Sequence, residues 1–186
     1  MPIASPLSPP APRRKLHTRT ITIDGFERED GLFDVEAHLT DVKTETFLNA
    51  DRGHVAAFAP LHEMFVRLTF DHRMTITGAE AVTSTGPFRA CASAADSYAN
   101  LVGLRIKPGF LREANARMAG PIGCTHLREM LQEIATTAFQ TMWPVRAQRR
   151  AAAGKPEEDD SALIDTCHAY AADGPVVAAM RSTPGP

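Results

Sequence analysis

The sequence of 186 residues is poor in the features that would mark a secreted or membrane-bound protein. Its three cysteines are odd in number and widely spaced, so they indicate neither a disulfide framework nor a paired C-x-x-C zinc module. No stretch approaches the roughly 18–20 apolar residues of a membrane span, and the N-terminal MPIASPLSPPAPRRKL lacks the apolar run of a signal peptide. These absences predict a soluble cytoplasmic protein with no membrane partner.

An excess of positive charge is also missing. The net charge of −2, the pI near 6.4 and the scattered arginines exclude the broad positive field that a phosphate backbone requires, so we expect no nucleic-acid partner. The chain has no G-x-G-x-x-G after a strand, no P-loop and no nucleophile elbow, which argues against nucleotide cofactors and serine hydrolysis. Proton-transfer chemistry without a cofactor remains compatible with the sequence.

What is present indicates one α+β domain behind a short arm. Residues 1–14 contain five prolines and are predicted to form an extended arm. Residues 15–186 are predicted to form a single α+β domain that is mainly β over 15–87 and mainly α over 88–186, with a charged loop near 145–161. Its fold is expected to be a curled antiparallel sheet of about four or more strands, packed by C-terminal helices.

Alternating apolar and polar residues predict the strands. The patterned stretches are LHTRTITID, the run that follows Asp30-Gly31, HEMFVRLTFD and MTITGAEAVTST. In the second half, helical spacing predicts a long helix from about Thr125 to Trp143, before Pro144. A later helix is predicted to end near Asp173-Gly174 and to be followed by an edge strand.

The stretch GPIGCTHLREML places three reactive groups at the start of the long helix: Cys124, Thr125 and His126. Thr125 is suited to cap the helix, which is worth roughly 1 kcal/mol. A helix N-terminus lowers the pKa of a nearby thiol and keeps an imidazole neutral, so Cys124 and His126 are candidates for chemistry. The alternative is that Cys124 only fills space in a tight turn.

Cys124, His126, Cys167 and His168 are residue types that can bind a metal ion. The neighbouring Cys167 and His168 would point about 100° apart on a helix, so they would not easily reach one ion. His126 and Glu129 form a helical i, i+3 pair without a second such pair. We therefore predict no metal and no cofactor.

A second group of candidates lies on the predicted strands. Asp34, Glu36 and His38 share one face of their strand, which is either a solvated surface or the wall of a cavity in which Glu36 orients His38. His62 falls on the more apolar face of its strand, where it is either a hydrogen-bonded core residue or a proton donor in a pocket. Tyr98 is either a core residue or a source of a phenol hydroxyl group.

Six blocks of the sequence together resemble a bacterial family known only as domain of unknown function 2889. The blocks are RRKLHTRTITIDGFEREDGLFDVEAHLTDVK, PLHEMFVRLTF, YANLVGLRIKPGF, GCTHLREML, TAFQT and TCHAY, and the resemblance spans residues 13–177. Its pattern includes residues 30–43, 123–127 and 167–170, which adds weight to His38 and His126. The resemblance implies a loose association with bacterial breakdown of aromatic compounds, and so a hydrophobic aromatic small molecule.

The first functional hypothesis is a cofactor-independent lyase or isomerase acting on an aromatic, phenolic or lignin-derived compound, for example by retro-aldol loss of formaldehyde. Its candidate catalytic residues are His38, Glu36, His62, His126 and Tyr98, and its candidate substrate-binding residues are Arg19, Thr125 and Cys124. One alternative is a non-catalytic module that binds an aromatic acid or acyl thioester. The other is a structural oligomer subunit, and in either case we expect a homodimer.

Overall fold

The computed structural model describes residues 6–154 and 163–182. The chain divides into two compact units, Met1–Ala138 and Phe139–Pro186, so residues 15–186 contain parts of both. In the described part of the arm, residues 6–14 are exposed and contain no helix or strand.

An antiparallel sheet dominates the first unit. Its strands, in the order β1-β2-β5-β6, are separated in the chain by a small hairpin of β3 and β4. The predicted α+β class, an N-terminal antiparallel sheet of four strands followed by helices, is confirmed. The strand bounds are β1 His17–Glu27, β2 Phe33–Lys43, β3 Phe47–Asn49, β4 Gly53–Val55, β5 Pro60–Phe70 and β6 Ile76–Thr85.

The sheet has one face towards the core and one towards solvent. In β2, residues 33, 35, 37, 39 and 41 are buried, whereas the side chains between them are partly exposed. The Asp30-Gly31 turn that joins β1 to β2 is confirmed, and Gly31 adopts a φ of 83°, which glycine allows without steric cost. Because of this alternation, only the polar side chains at inward-facing positions of the strands can contact the helices.

Helices follow the sheet in sequence. None in the described ranges is both long and apolar enough to cross a lipid bilayer. Their bounds are 3₁₀ Arg89–Leu101, α1 Phe110–Arg117, 3₁₀ Gly120–Ile122, α2 Thr125–Ala152, 3₁₀ His168–Tyr170 and α3 Pro175–Ser182.

Two helix boundaries differ from the sequence predictions. α2 continues through Pro144 to Ala152, so residues 145–152 of the predicted charged loop are helical, and residues 155–162 lie outside the described part. Proline removes one backbone donor, and a long helix tolerates this loss. The helix predicted to end at Gly174 is also wrong, because α3 begins at Pro175, where the fixed φ of proline favours the first helical turn.

The start of α2 is held in a tight turn. A Cβ atom on Gly123 would collide with the carbonyl oxygen of Met118, so only glycine fits this approach. Beyond the turn, the predicted apolar stripe of α2 is buried in the first unit: Leu127, Met130, Leu131, Ile134 and Ala138. Gly123 thus allows the chain to place Cys124 and His126 directly before and within the first helical turn.

We expect Gly123→Ala to lower the free energy of unfolding by about 1–3 kcal/mol, because the new methyl group meets a backbone atom. Gly78→Ala is the matched control, since a Cβ there meets only the Thr69 side chain, at 3.3 Å. Urea denaturation of both variants measures the difference. Equal losses in the two variants would contradict the close approach at Gly123.

Candidate functional site

Three polar residues lie side by side across the inward face of the sheet. The strand register places Arg19 opposite Asp41 and Asp41 opposite His62. Asp41 is 1% exposed and His62 is 7% exposed, although their positions continue the buried apolar stripes of β2 and β5. Burying a charge without partners is very unfavourable. The polar atoms of these buried residues must therefore form contacts with one another or with neighbouring side chains.

The carboxylate of Asp41 is the centre of these contacts. Arg19 donates from Nε to Oδ1 at 2.9 Å and from Nη2 to Oδ2 at 2.8 Å, which is a bidentate pair. His17 Nε2 lies 2.9 Å from Oδ1. Burial by itself would raise the pKa of Asp41, but the Arg19 and His17 contacts prevail and lower it to about 2. The contact with Asp41 also raises the pKa of Arg19, so this pair stays charged.

The first turn of α2 brings a second imidazole to this row. The ring centroids of His62 and His126 are 3.9 Å apart, with a tilt of 36° between the ring planes. One turn of helix further on, Glu129 accepts a hydrogen bond from Arg19 Nη1 at 2.8 Å. The sheet and the helix start therefore share one polar cluster, formed by His17, Arg19, Asp41, His62, His126 and Glu129, which we call the carboxylate–imidazole cluster.

The protonation of His62 follows from its surroundings. Burial and the neighbouring His126 lower the pKa of His62, so the ring is neutral near pH 7. Its Nδ1 lies 3.0 Å from Asp41 Oδ2, but the two atoms are not aligned as a hydrogen bond, and Nδ1 is enclosed. His126 is only half-buried, and the His17 side chain is 40% exposed, so the cluster can be reached from solvent.

Cys124 and Thr125 occupy helix-start positions that differ from the sequence interpretation. The Cys124 carbonyl accepts from the Arg128 N–H, so Cys124 holds the capping position and Thr125 is the first helical residue. The assignment of Thr125 as the cap is therefore wrong by one residue. Cys124 Sγ lies 3.8 Å from His126 Nδ1, which places the thiol beside the cluster.

His38 and Glu36 lie on the opposite face of the sheet. His38 stacks on Phe65 with centroids 4.3 Å apart, and its Nε2 is 3.7 Å from Glu63 Oε1. Glu36 accepts from Arg67 Nε at 2.7 Å instead of orienting His38. We predicted that Glu36 orients His38 and that His38 acts together with His62 and His126. The structure contradicts this prediction, because side chains 36 and 38 lie on the face of β2 opposite to its buried side chains.

A groove of about 470 Å³ covers this outward face. Arg67 lies between Glu36 and Glu80, with 2.7 Å contacts to each. The stacked pair of His38 and Phe65 adds an aromatic wall. The groove therefore combines an aromatic surface with one arginine and three carboxylates, those of Asp24, Glu36 and Glu80. It belongs to a different face from the carboxylate–imidazole cluster.

Tyr98 and Arg19 have structural partners that sequence patterns did not reveal. Tyr98 is fully buried, its hydroxyl donates to the Leu127 carbonyl at 2.5 Å, and burial raises its pKa. The hydroxyl thus links the 3₁₀ helix Arg89–Leu101 to α2. Because the hydroxyl hydrogen is already donated to this carbonyl, Tyr98 has a structural role instead of the predicted role as a proton donor. Arg19 bridges Asp41 and Glu129, so its charge is already neutralised, and the expectation that it binds a substrate anion is not supported.

Sequence reasoning missed Asp41, His17 and Glu129 as members of one cluster. A signal for Asp41 was present, because it continues the stripe of apolar residues 33, 35, 37 and 39 at an inward position. A charged residue at such a position needs a buried partner. Cys167 and His168, the other candidates for a metal centre, belong to the second unit and are exposed.

A family model described as protein of unknown function (DUF2889) matches residues 17–140, about two thirds of the chain. This range includes the whole cluster and ends before the TCHAY block. No curated protein and no solved structure matches the chain.

We expect Asp41 to contribute to stability in a pH-dependent way. Its pKa falls from an ordinary value of 3.8 to about 2 on folding, so the contribution is present above about pH 4 and is lost as the pH falls through 2. The loss is on the order of 2 kcal/mol. Asp41→Asn should therefore be destabilised most near pH 7, and its difference from wild type should shrink towards pH 2.

Denaturant titrations at several pH values measure this difference. Glu80→Gln is the control, because Glu80 is 65% exposed and its pair with Arg67 contributes little. A difference between Asp41→Asn and wild type that stays constant from pH 7 to pH 2 would contradict the assignment.

Proposed function

Because the chain belongs to the DUF2889 family of proteins of unknown function, the family assignment names no reaction, and we propose one from the site. The protein is a cofactor-independent lyase or isomerase that acts by general acid/base chemistry on an aromatic, in particular phenolic, small molecule. The observation that carries this proposal is the contact between two imidazoles, His62 and His126, beside the buried carboxylate of Asp41.

The two imidazoles differ in ways that suit different roles. His62 is neutral, because burial and the neighbouring His126 lower its pKa, and it lies 3.0 Å from the ionised carboxylate of Asp41, so His62 is suited to act as the general base. His126 lies in the first turn of α2, with its ring against that of His62. His126 is therefore suited to donate a hydrogen bond or proton to a developing negative charge.

Retro-aldol loss of formaldehyde from a lignin-derived dimer is one instance of this chemistry. One imidazole takes the proton of a primary hydroxyl group, the adjacent carbon–carbon bond breaks and formaldehyde leaves. The electron pair remains on a carbon that the aromatic ring stabilises. The abstracted proton passes from the first imidazole to the adjacent second imidazole and from there to this carbon, so both rings return to the neutral form. The step needs no oxidant, because the bonding electrons stay within the two products.

The outward groove supports a second candidate, a non-catalytic module that binds an aromatic acid or acyl thioester. Its aromatic wall, His38 and Phe65, suits a flat ligand, and Arg67 would have to leave Glu36 or Glu80 to bind the acid group of that ligand. Under this alternative, a compound that raises the melting temperature would be recovered chemically unchanged. Under the lyase proposal, the same compound would be converted.

We also propose that the protein works as a cytoplasmic homodimer. The three free cysteines are consistent with a reducing compartment. The arm, whose described residues 6–14 are exposed, is a candidate strap across a second subunit. If deletion of residues 1–12 leaves the oligomeric state unchanged, the arm has no such role.

We expect His62→Gln and His126→Gln each to lower turnover by about 10² or more, because each removes a proton-transfer group. The assay measures formaldehyde released from phenolic compounds that carry a hydroxymethyl side chain. His38→Gln is the matched control, since His38 lies on the outward face and should keep near wild-type turnover.

Circular dichroism of each variant checks that the fold is kept. Full turnover in both inward variants, or a loss confined to His38→Gln, would contradict the proposed site. Recovery of unchanged ligand from the wild-type protein across the panel would favour the binding module instead.

A further inference from the structure

Three side chains of the cluster form a donor set that metal ions use. Asp41, His62 and His126 each offer one ligand atom, and these atoms lie within 4.8 Å of one another. Two imidazole nitrogens with one carboxylate oxygen match late first-row divalent ions, whereas Mg²⁺ and Ca²⁺ prefer sites made of oxygen atoms. We propose that Asp41, His62 and His126 bind one such divalent transition-metal ion, with Zn²⁺ as the best match.

The spacing of the donors is close to what such an ion requires. Zinc bonds of about 2.0–2.2 Å in tetrahedral geometry place ligand atoms about 3.3–3.6 Å apart. Asp41 Oδ2 and His62 Nδ1 are 3.0 Å apart, and the largest separation in the set is below 4.8 Å.

An independent observation also points to a ligand at this place. His62 Nδ1 is enclosed, in a side chain that is only 8% exposed, and has no aligned hydrogen-bond partner among the described residues. A buried polar atom without an aligned partner destabilises the folded state, because it has lost its hydrogen bonds to water. Coordination to an ion that also binds Asp41 Oδ2 would satisfy this nitrogen, because the metal replaces the misaligned hydrogen bond.

The surrounding contacts resemble those that support metal ligands. Arg19 and His17 hold the Asp41 carboxylate, whose Oδ2 lies 3.0 Å from His62 Nδ1. Cys124 Sγ lies 3.8 Å from His126 Nδ1. Partners of this kind orient the ligands of metal sites. Three protein ligands leave one tetrahedral position for water or a substrate atom.

The proposal of a metal site goes beyond the proposed lyase function and does not depend on it. A metal binds the deprotonated imidazole, so the ion and a transferred proton compete for the same nitrogens. Zinc binding and proton transfer therefore describe two states of one cluster. The two proposals can fail separately, because zinc binding is measured without a substrate and turnover is measured in the presence of a chelator.

The test uses the full chain, treated with a chelator, dialysed and titrated with ZnCl₂ in a calorimeter. Bound zinc after removal of excess ion is counted by mass spectrometry. We expect about one zinc per wild-type chain, and at least 10-fold weaker binding in His62→Gln and in His126→Gln. His38→Gln is the control for adventitious binding by a histidine outside the cluster and should bind as wild type does.

Cobalt provides a second readout that does not depend on affinity alone. Co²⁺ in a site with nitrogen ligands and low coordination number absorbs visible light strongly, so the wild-type and His38→Gln proteins should share a spectrum that His126→Gln lacks. Circular dichroism excludes unfolding as the cause of a loss. Wild-type zinc content near zero, or wild-type affinity in both inward variants, would overturn the metal site.

Discussion

The buried carboxylate of Asp41 determines how the sheet and the helices meet. An ionised group at 1% exposure requires cationic and hydrogen-bonding partners, and Arg19 supplies two of its contacts from the neighbouring strand. The same guanidinium reaches Glu129 on α2. One arginine therefore links two acidic residues from different elements. The position of His126 against His62 follows from this link, together with the Tyr98 hydroxyl on the Leu127 carbonyl.

The sheet separates two surfaces of different character. Its inward face carries the carboxylate–imidazole cluster in a mostly apolar setting, where low polarity strengthens electrostatic interactions. Its outward face carries a groove whose ion pairs are exposed and contribute little to stability. The two faces share β2, so neighbouring residues of one strand serve different surroundings. For this reason His38 could resemble a catalytic residue in the sequence while lying apart from His62 and His126.

Much of the fold could be predicted from local patterns, and the site only in part. The alternation in β2 correctly predicted which of its side chains are buried, and the alternation in β5 placed His62 on the apolar face. The pairing of Arg19, Asp41 and His62 could not be predicted, because it depends on register and on irregularities such as the bulge after Asp41. Grouping His38 with His126 failed for a simpler reason. The helices pack against the apolar face of the sheet, and His38 lies on the opposite, polar face of β2.

The alternation in β2 has a consequence for how such a chain can change in length. Side chains of a strand alternate between the two faces of the sheet. Inserting or deleting one residue before Asp41 would therefore move every later side chain of β2 to the opposite face. The carboxylate would be expelled into solvent and its neighbour would be forced inside. Changes by an even number of residues would preserve the parity of the strand. We therefore expect folded length variants of the hairpin between Arg19 and Asp41 to gain or lose two residues at a time. Insertion or deletion of a single residue should be tolerated only at a β-bulge.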